Sequence, residues 1–142
     1  MKLIVICVFY PPLNSSAAIQ IKDLVDELAN KGHKVSVITA VSDIKSSLGI
    51  EKNKSGNIYR FKVNKIQEIN FFFRTINEFF SPFIIIYKIL INSLEFKRYS
   101  GIIWWSPSIF LTPLVFYFKL INKCPCYLIL RDLFPRWARD LN

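Results

Sequence analysis

The stretch that decides the fold is residues 2–39, KLIVICVFYPPLNSSAAIQIKDLVDELANKGHKVSVIT. Residues 3–9 are apolar and rich in β-branched side chains, which predicts a strand buried on both faces. Pro11 and Pro12 end that strand, because proline cannot donate a hydrogen bond to a neighbouring strand. Residues 35–39 have the same apolar character and predict a second buried strand.

Between these two strands the sequence predicts one amphipathic helix. Asn14, Ser15 and Ser16 offer side-chain oxygens that can cap its start, and Gly32 is the expected stop. Apolar residues recur on one helical face: Ile21, Leu24, Val25 and Leu28. Strand, helix and strand make one βαβ unit, so the strands should be parallel and their functional loops should follow their carboxyl ends.

Three more strands are expected along the rest of the chain, at residues 57–63, 101–105 and 127–130. Residues 41–56 are polar and lack periodicity, which predicts a loop. Ser81-Pro82 is typical of a helix start, so we expect two helices, at residues 74–80 and 82–96, and a further apolar helix at residues 109–123. The predicted fold class is α/β, a single domain with an open, mostly parallel sheet of about five strands and helices on both faces.

The composition and charge of the chain limit the classes of function that it can have. The chain has 142 residues, 52% of them hydrophobic, and a formal charge of +9. A basic chain can bind nucleic acid, an anionic membrane or an anionic substrate, but the lysines are dispersed and no nucleic-acid recognition motif is present. Cys7, Cys124 and Cys126 lack the spacing of a zinc or redox pair, which favours a reducing cytoplasm. Residues 99–118 are uncharged, but Ser-Pro-Ser in their middle indicates strand, loop and helix rather than a membrane span.

Taken in order, these segments resemble a family 4 glycosyltransferase, whose two Rossmann-like lobes form the GT-B arrangement. The resemblance begins with Phe9-Tyr10-Pro11-Pro12, the helix after it and residues 31–39, with Ser-Ser-Ala-Ala at 15–18 where the family has paired glycines. It continues with the strand that ends in Ser-Pro at residues 102–107. It ends with residues 130–135, where Phe134 takes the aromatic position of an Arg/His-Asp-Leu-Trp-Pro pattern.

The resemblance implies that residues 1–142 are the acceptor-binding amino-terminal lobe of a retaining glycosyltransferase. Such an enzyme would move a sugar from a nucleotide-sugar to a lipid-linked or polysaccharide acceptor in bacterial surface-glycan biosynthesis, of the O-antigen or capsule kind. The family's nucleotide-sugar site and its Glu-x7-Glu signature belong to a carboxyl-terminal lobe that this sequence does not contain. We therefore expect no cofactor and no metal in this lobe, a separate lobe as a partner, and no turnover by the isolated chain.

The candidate residues of the acceptor and diphosphate side of the cleft follow the ends of strands. They are Pro12, Asn14, Ser15, Ser16, Ser106, Arg131 and Asp132. Amide groups at a helix start suit a phosphate or a sugar hydroxyl, although plain capping explains the same residues. Asp132 would bind acceptor hydroxyls and Arg131 a phosphate, unless they form structural ion pairs with Arg136 or Arg139. No catalytic residue can be assigned, and the single histidine, His33, is expected to be structural.

A second candidate surface comes from the aromatic stretch at residues 71–96. Residues 71–130 hold six basic and two acidic side chains, a net charge of +4. An apolar helix flanked by Lys and Arg is typical of one that lies in an anionic membrane interface. The predicted membrane surface is Phe72, Phe73, Arg74, Phe79 and Lys88, on the inner face of the cytoplasmic membrane. The alternatives are that this helix packs into the core or against the second lobe, and that the chain is a non-catalytic docking subunit.

Overall fold

The computed structural model describes residues 1–53, 56–64, 70–105 and 109–130. Within these ranges the strands are β1 (Lys2–Cys7), β2 (Lys34–Val41), β3 (Leu48–Asn53), β4 (Gly56–Lys62), β5 (Gly101–Trp105) and β6 (Cys126–Ile129). The helices are α1 (Ser16–Asn30), α2 (Phe71–Ile91) and α3 (Thr112–Asn122), and a 3-10 turn at Ile109–Leu111 leads into α3.

The strands form one sheet in the order β3-β4-β2-β1-β5-β6. β1 pairs in parallel with β2 on one side and with β5 on the other, so that Val5 lies opposite Val37 and Ile103. The β2–β4 and β5–β6 pairs are also parallel, and only β3 runs antiparallel to its neighbour, β4. The predicted open, mostly parallel α/β sheet is therefore confirmed.

Helices cover both faces of this sheet. Ile21 and Val25 of α1 pack on one face in a cluster with Val5, while α2 and α3 bury side chains on the other face. Ile4 and Ile6 point towards α2 and α3, because successive strand residues face opposite sides. These central β1 side chains are fully buried, and each contributes about 1.5–3 kcal/mol to the free energy of unfolding.

One strand was missed in the sequence. β3 lies within residues 41–56, so the prediction of a loop there is wrong, and the described sheet has six strands where about five were expected. β3 is held by antiparallel backbone pairing to β4, in which Ile50 lies opposite Tyr59. It is an edge strand in which residues 50–53 are exposed, so no buried face imposes an alternating apolar pattern on its sequence.

The predicted break at Ser81-Pro82 is also wrong, because α2 runs through it without interruption. Pro82 has no N–H group to donate to the carbonyl of Glu78, four residues earlier. The Ser81 hydroxyl donates to that same carbonyl oxygen at 2.9 Å and replaces the missing bond. Ser81 thus compensates for the missing N–H group of the proline inside α2 and does not cap a new helix. α2 ends at Ile91, five residues before the predicted end.

Candidate functional site

The carboxyl ends of β1, β2, β4 and β5 meet at one edge of the sheet, since these strands are parallel. β1 lies between β2 and β5. The chain first adds β2, β3 and β4 on one side of β1, and it later adds β5 and β6 on the other side. Ligands of open α/β sheets bind in the crevice beside such a reversal of strand order. The loop after β1 lies at this point and is the centre of the candidate site.

This loop, residues 8–15, is fixed by short-range hydrogen bonds. The amide of Leu13 donates to the carbonyl oxygen of Tyr10 at 3.3 Å, and the amide of Ser15 donates to that of Leu13 at 3.2 Å. Pro12 and Asn14 are exposed, and the peptide bond between Pro11 and Pro12 is cis. The loop therefore presents Pro12 and Asn14, two of the residues predicted for the cleft, to solvent.

Ser15 caps α1, as one of the two interpretations of this loop requires. Its Oγ accepts a hydrogen bond from the amide of Ala18 at 3.2 Å, and its carbonyl accepts one from Ile19 at 3.1 Å. Ser16 is the first residue of the helix and is exposed. Capping does not compete with ligand binding here, because the positive end of the helix dipole still faces the crevice edge.

A largely buried arginine beneath this loop was not predicted from the sequence. Arg60 of β4 lies in one row of the sheet with Thr39 and Cys7. Its guanidinium is 5.8 Å from the ring centroid of Tyr10, and its Nη2 donates to Glu51 Oε2 at 3.1 Å. Its Nη1 is buried and has no hydrogen-bond partner among the described residues. The guanidinium therefore lies beside the loop, with its charge balanced by the Glu51 carboxylate.

The pattern of β4 explains why Arg60 was missed. Residues 57–63 alternate, which indicates a half-exposed strand with its polar side chains in solvent, but the Arg60 side chain is only 14% exposed. Burial raises the pKa of the Tyr10 hydroxyl to about 12, with smaller contributions in the same direction from Asp26, Cys7 and Glu51, while Arg60 opposes the shift. Tyr10 is therefore neutral at physiological pH, and its ring packs in the core beside Arg60.

None of the three cysteines favours thiol chemistry. Burial raises the pKa of Cys7 to about 12, although its hydrogen bond with Thr39 and the charge of Arg60 act in the opposite direction. Burial also raises the pKa of Cys124 and of Cys126. A nucleophilic cysteine needs a lowered pKa, so the three thiols are poor nucleophiles. Within the described ranges, no group of His, Cys, Asp and Glu side chains could hold a metal ion.

Three of the predicted cleft residues, Ser106, Arg131 and Asp132, lie outside the described residues. His33 lies at the opposite edge of the sheet, where its Nδ1 is 3.3 Å from the amino group of Met1. Its position just before β2 keeps it away from the crevice at the carboxyl ends of the strands.

The predicted membrane residues of α2 divide into two groups. Phe72, Phe73 and Phe79 are exposed, and Arg74 is exposed and pairs with Glu78 at 3.0 Å. Lys88 instead turns towards the sheet, where its ammonium donates to the carbonyl oxygens of Ser47 and Lys62. Burial and the charge of Lys62 lower the pKa of Lys88. Lys88 therefore ties α2 to the sheet, and its charge does not point outwards.

No helix in the described part of the chain combines the length and the apolar character needed to cross a membrane. α2 is long enough, but it carries Arg74, Glu78 and Lys88.

Comparison with known proteins supports the fold. No protein-family model matches the chain, and no curated protein is similar to it in sequence. Among solved structures, it is similar to an Escherichia coli trehalose-6-phosphate synthase bound with UDP-2-fluoro glucose, a GT-B glycosyltransferase, with a TM-score of 0.56 and 12% identity. The match covers 98% of this chain and 37% of the other, so the chain spans little more than a third of that protein. The chain has a GT-B glycosyltransferase-like fold.

Proposed function

We propose that this chain is the acceptor-side lobe of a retaining, family 4-like glycosyltransferase. The observation that carries the proposal is the GT-B-like fold over 98% of the chain. The sugar donor, a nucleotide-sugar, would bind a carboxyl-terminal lobe. The acceptor would be a lipid-linked sugar or a polysaccharide in bacterial surface-glycan assembly, at the cytoplasmic face of the membrane.

In this proposal the loop after β1 binds the acceptor. Asn14 and Ser16 are exposed at the start of α1, where the helix dipole attracts a phosphate or a polarised hydroxyl. Arg60, paired with Glu51, would support the loop through its contact with the ring of Tyr10. Arg131 and Asp132 would contribute a phosphate contact and a hydroxyl contact from the segment after β6.

Substitution of Ser16 tests the acceptor site while preserving the fold. Ser16→Glu places a carboxylate in the first turn of α1, where it stabilises the helix but repels an anionic ligand. Ser16→Gln has nearly the same size without the charge. Titration of the chain with a water-soluble prenyl-diphosphate sugar should show at least tenfold weaker binding to Ser16→Glu than to Ser16→Gln. Equal affinities, or no binding to the unchanged chain, would contradict this placement of the acceptor.

The isolated chain tests the placement of the donor. Incubated with radiolabelled UDP-glucose or GDP-mannose, it should neither hydrolyse nor transfer the sugar. Turnover by this chain alone would mean that the donor site lies in this lobe. Sequencing the downstream DNA then tests whether a second lobe is encoded there, and adding such a lobe should produce transfer.

A non-catalytic docking subunit is the second candidate, and the exposed apolar side chains of α2 and α3 favour it. In that case the chain would co-purify with a protein that carries the catalytic lobe. Monomeric behaviour in its native cell extract, with no such protein attached, would count against this second candidate.

A further inference from the structure

The outer face of α2 carries a continuous row of exposed apolar side chains. We call these residues the aromatic stripe: Phe72, Phe73, Ile76, Phe79, Phe80, Phe83, Tyr87, Leu90 and Ile91. They share one side of the helix, at steps of one, three or four residues, and at 1.5 Å per residue the row extends over about 29 Å. The opposite side of α2 is buried against the sheet through Ile85 and Ile89. α2 is therefore apolar on both its core side and its solvent side.

α3 widens this surface. α3 lies beside α2 on the same face of the sheet. The ring centroid of Phe79 is 6.5 Å from that of Phe110, in the 3-10 turn that leads into α3. Phe116 and Leu120 of α3 are 60% and 59% exposed. Monomeric soluble proteins seldom expose apolar patches beyond a few hundred Å², and larger ones mark interaction sites. The α2–α3 layer thus has a buried face and an apolar outer face.

The charges on this layer are arranged around the stripe and not within it. Arg74 and Glu78 neutralise each other at its flank, and Lys88 is turned towards the sheet. Lys119 lies three residues after Phe116 on the exposed face of α3. Lys123 is the exposed C-cap residue just beyond the helix. In the parts of the chain that the structure describes, neither lysine forms an ion pair with a carboxylate.

The other layer has the opposite charge. α1 carries Asp23, Asp26 and Glu27 against a single cation, Lys22, which gives it a net charge of −2. Counted in the same way, α2 and α3 carry Arg74, Lys88 and Lys119 against Glu78, a net charge of +2, and Lys123 follows α3 directly. The sheet separates the two layers, so the molecule has a basic, apolar side and an acidic side. An anionic surface would attract the first side and repel the second.

We propose that the outer face of α2 and α3 docks on an anionic lipid surface, with α2 lying in the interface and the aromatic stripe inserted among the headgroups. Apolar insertion beside basic residues is how interfacial helices bind membranes. A second copy of this chain is disfavoured as the occupant, because each copy carries a charge of +9. Phe72 and Phe73 lie at the start of α2, which follows the carboxyl end of β4, so the lipid surface would run beside the acceptor crevice.

Vesicle flotation with the full chain tests this docking in the absence of any sugar, so its outcome does not depend on the glycosyltransferase proposal. The unchanged chain should float with vesicles of phosphatidylcholine containing one-third phosphatidylglycerol at low salt. It should float much less with pure phosphatidylcholine or at high salt, because salt screens the lysines. Equal recovery with both kinds of vesicle, or no flotation with either, would overturn the proposal.

Matched variants locate the contact. Phe80→Ser with Phe83→Ser should weaken binding at least tenfold, whereas Ile19→Ser, at an exposed apolar position of α1, should change it less than twofold. Lys119→Glu with Lys123→Glu should weaken binding strongly, whereas Lys31→Glu with Lys52→Glu makes the same change in net charge elsewhere and should have a smaller effect. Circular dichroism checks that each variant is folded, and Phe80→Leu with Phe83→Leu should retain binding if apolar contact is what matters.

Two results would assign the stripe to another occupant. Light scattering that shows a dimer dispersed by Phe80→Ser with Phe83→Ser would indicate an interface between copies. Vesicle binding that is unchanged by this double variant would show that another part of the chain contacts lipid. Either result would overturn the proposal.

Discussion

The hydroxyl groups of Ser36 on β2 and Tyr99, two residues before β5, form a buried hydrogen bond of 2.8 Å. The two residues are 7% and 5% exposed, so neither hydroxyl has ready access to water. Tyr99→Phe would leave the Ser36 hydroxyl without this partner. We expect the free energy of unfolding, measured by urea denaturation, to fall by about 1–3 kcal/mol.

The double variant Ser36→Ala with Tyr99→Phe provides the control. Removing both hydroxyls leaves no buried group unsatisfied, so the double variant should be more stable than the sum of the two single effects implies. Simple additivity would show that the bond contributes nothing specific. Tyr87→Phe, at a position 63% exposed, should be close to neutral.

Pro82 and Ser81 should behave as a coupled pair. Ser81→Ala removes the donor to the Glu78 carbonyl, and we expect a loss of about 0.5–1.5 kcal/mol in the free energy of unfolding. In a Pro82→Ala background the new amide of residue 82 can donate to that carbonyl, so Ser81→Ala should then cost less. An equal cost in both backgrounds, measured by thermal or urea unfolding, would refute this explanation of the unbroken helix.

Two glycines with positive φ should respond differently to alanine. Gly56 has φ +150°, and a Cβ there would lie only 2.9 Å from the carbonyl carbon of Val35. Gly32 has φ +81°, and a Cβ there would meet nothing within 4 Å. Gly32→Ala should cost about 1–2 kcal/mol of stability from backbone strain alone, and Gly56→Ala should cost clearly more or prevent folding. Comparable urea midpoints for the two variants would contradict this difference.

Alkaline pH should destabilise the chain through Cys7. Burial raises the pKa of this thiol from 9.0 to about 12, so the folded state favours the protonated form. The stability that this provides is complete below about pH 9 and is lost as the pH rises towards 12. Urea midpoints measured from pH 8 to pH 11 should therefore fall, and they should fall less steeply for Cys7→Ala. Parallel slopes would rule out the thiol as the cause.

The parts of the fold that could be predicted are those in which burial requires a recognisable pattern of apolar residues in the sequence. β1 is buried on both faces and is continuously apolar. The apolar residues of α1 recur at helical spacing, and Ile21 and Val25 among them are buried. β3 could not be found this way, because backbone hydrogen bonds to β4 hold it and most of its side chains are exposed. The continuity of α2 depends on one side-chain bond from Ser81 that no periodicity reveals.

The candidate site shows the same division. Ser15 was predicted as a capping residue because its hydroxyl acts on the adjacent helix, and the structure confirms it. Arg60 was missed because its contact with Tyr10 and its ion pair with Glu51 join residues that are distant in the sequence or on another strand. Residues that act on neighbouring residues in the chain can be recognised from the sequence. The position of Arg60 could be recognised only from the tertiary structure.

The central place of β1 in the sheet has a consequence for synthesis on the ribosome. Its β2 partner emerges soon after it, but its β5 partner begins only at Gly101. At about 5–20 residues per second, the second edge of β1 stays unpaired for about 5–20 s after the strand is made. The nascent chain therefore exposes one hydrogen-bonding edge of its most apolar strand throughout that interval. This is the period when a chaperone would be needed to shield that edge.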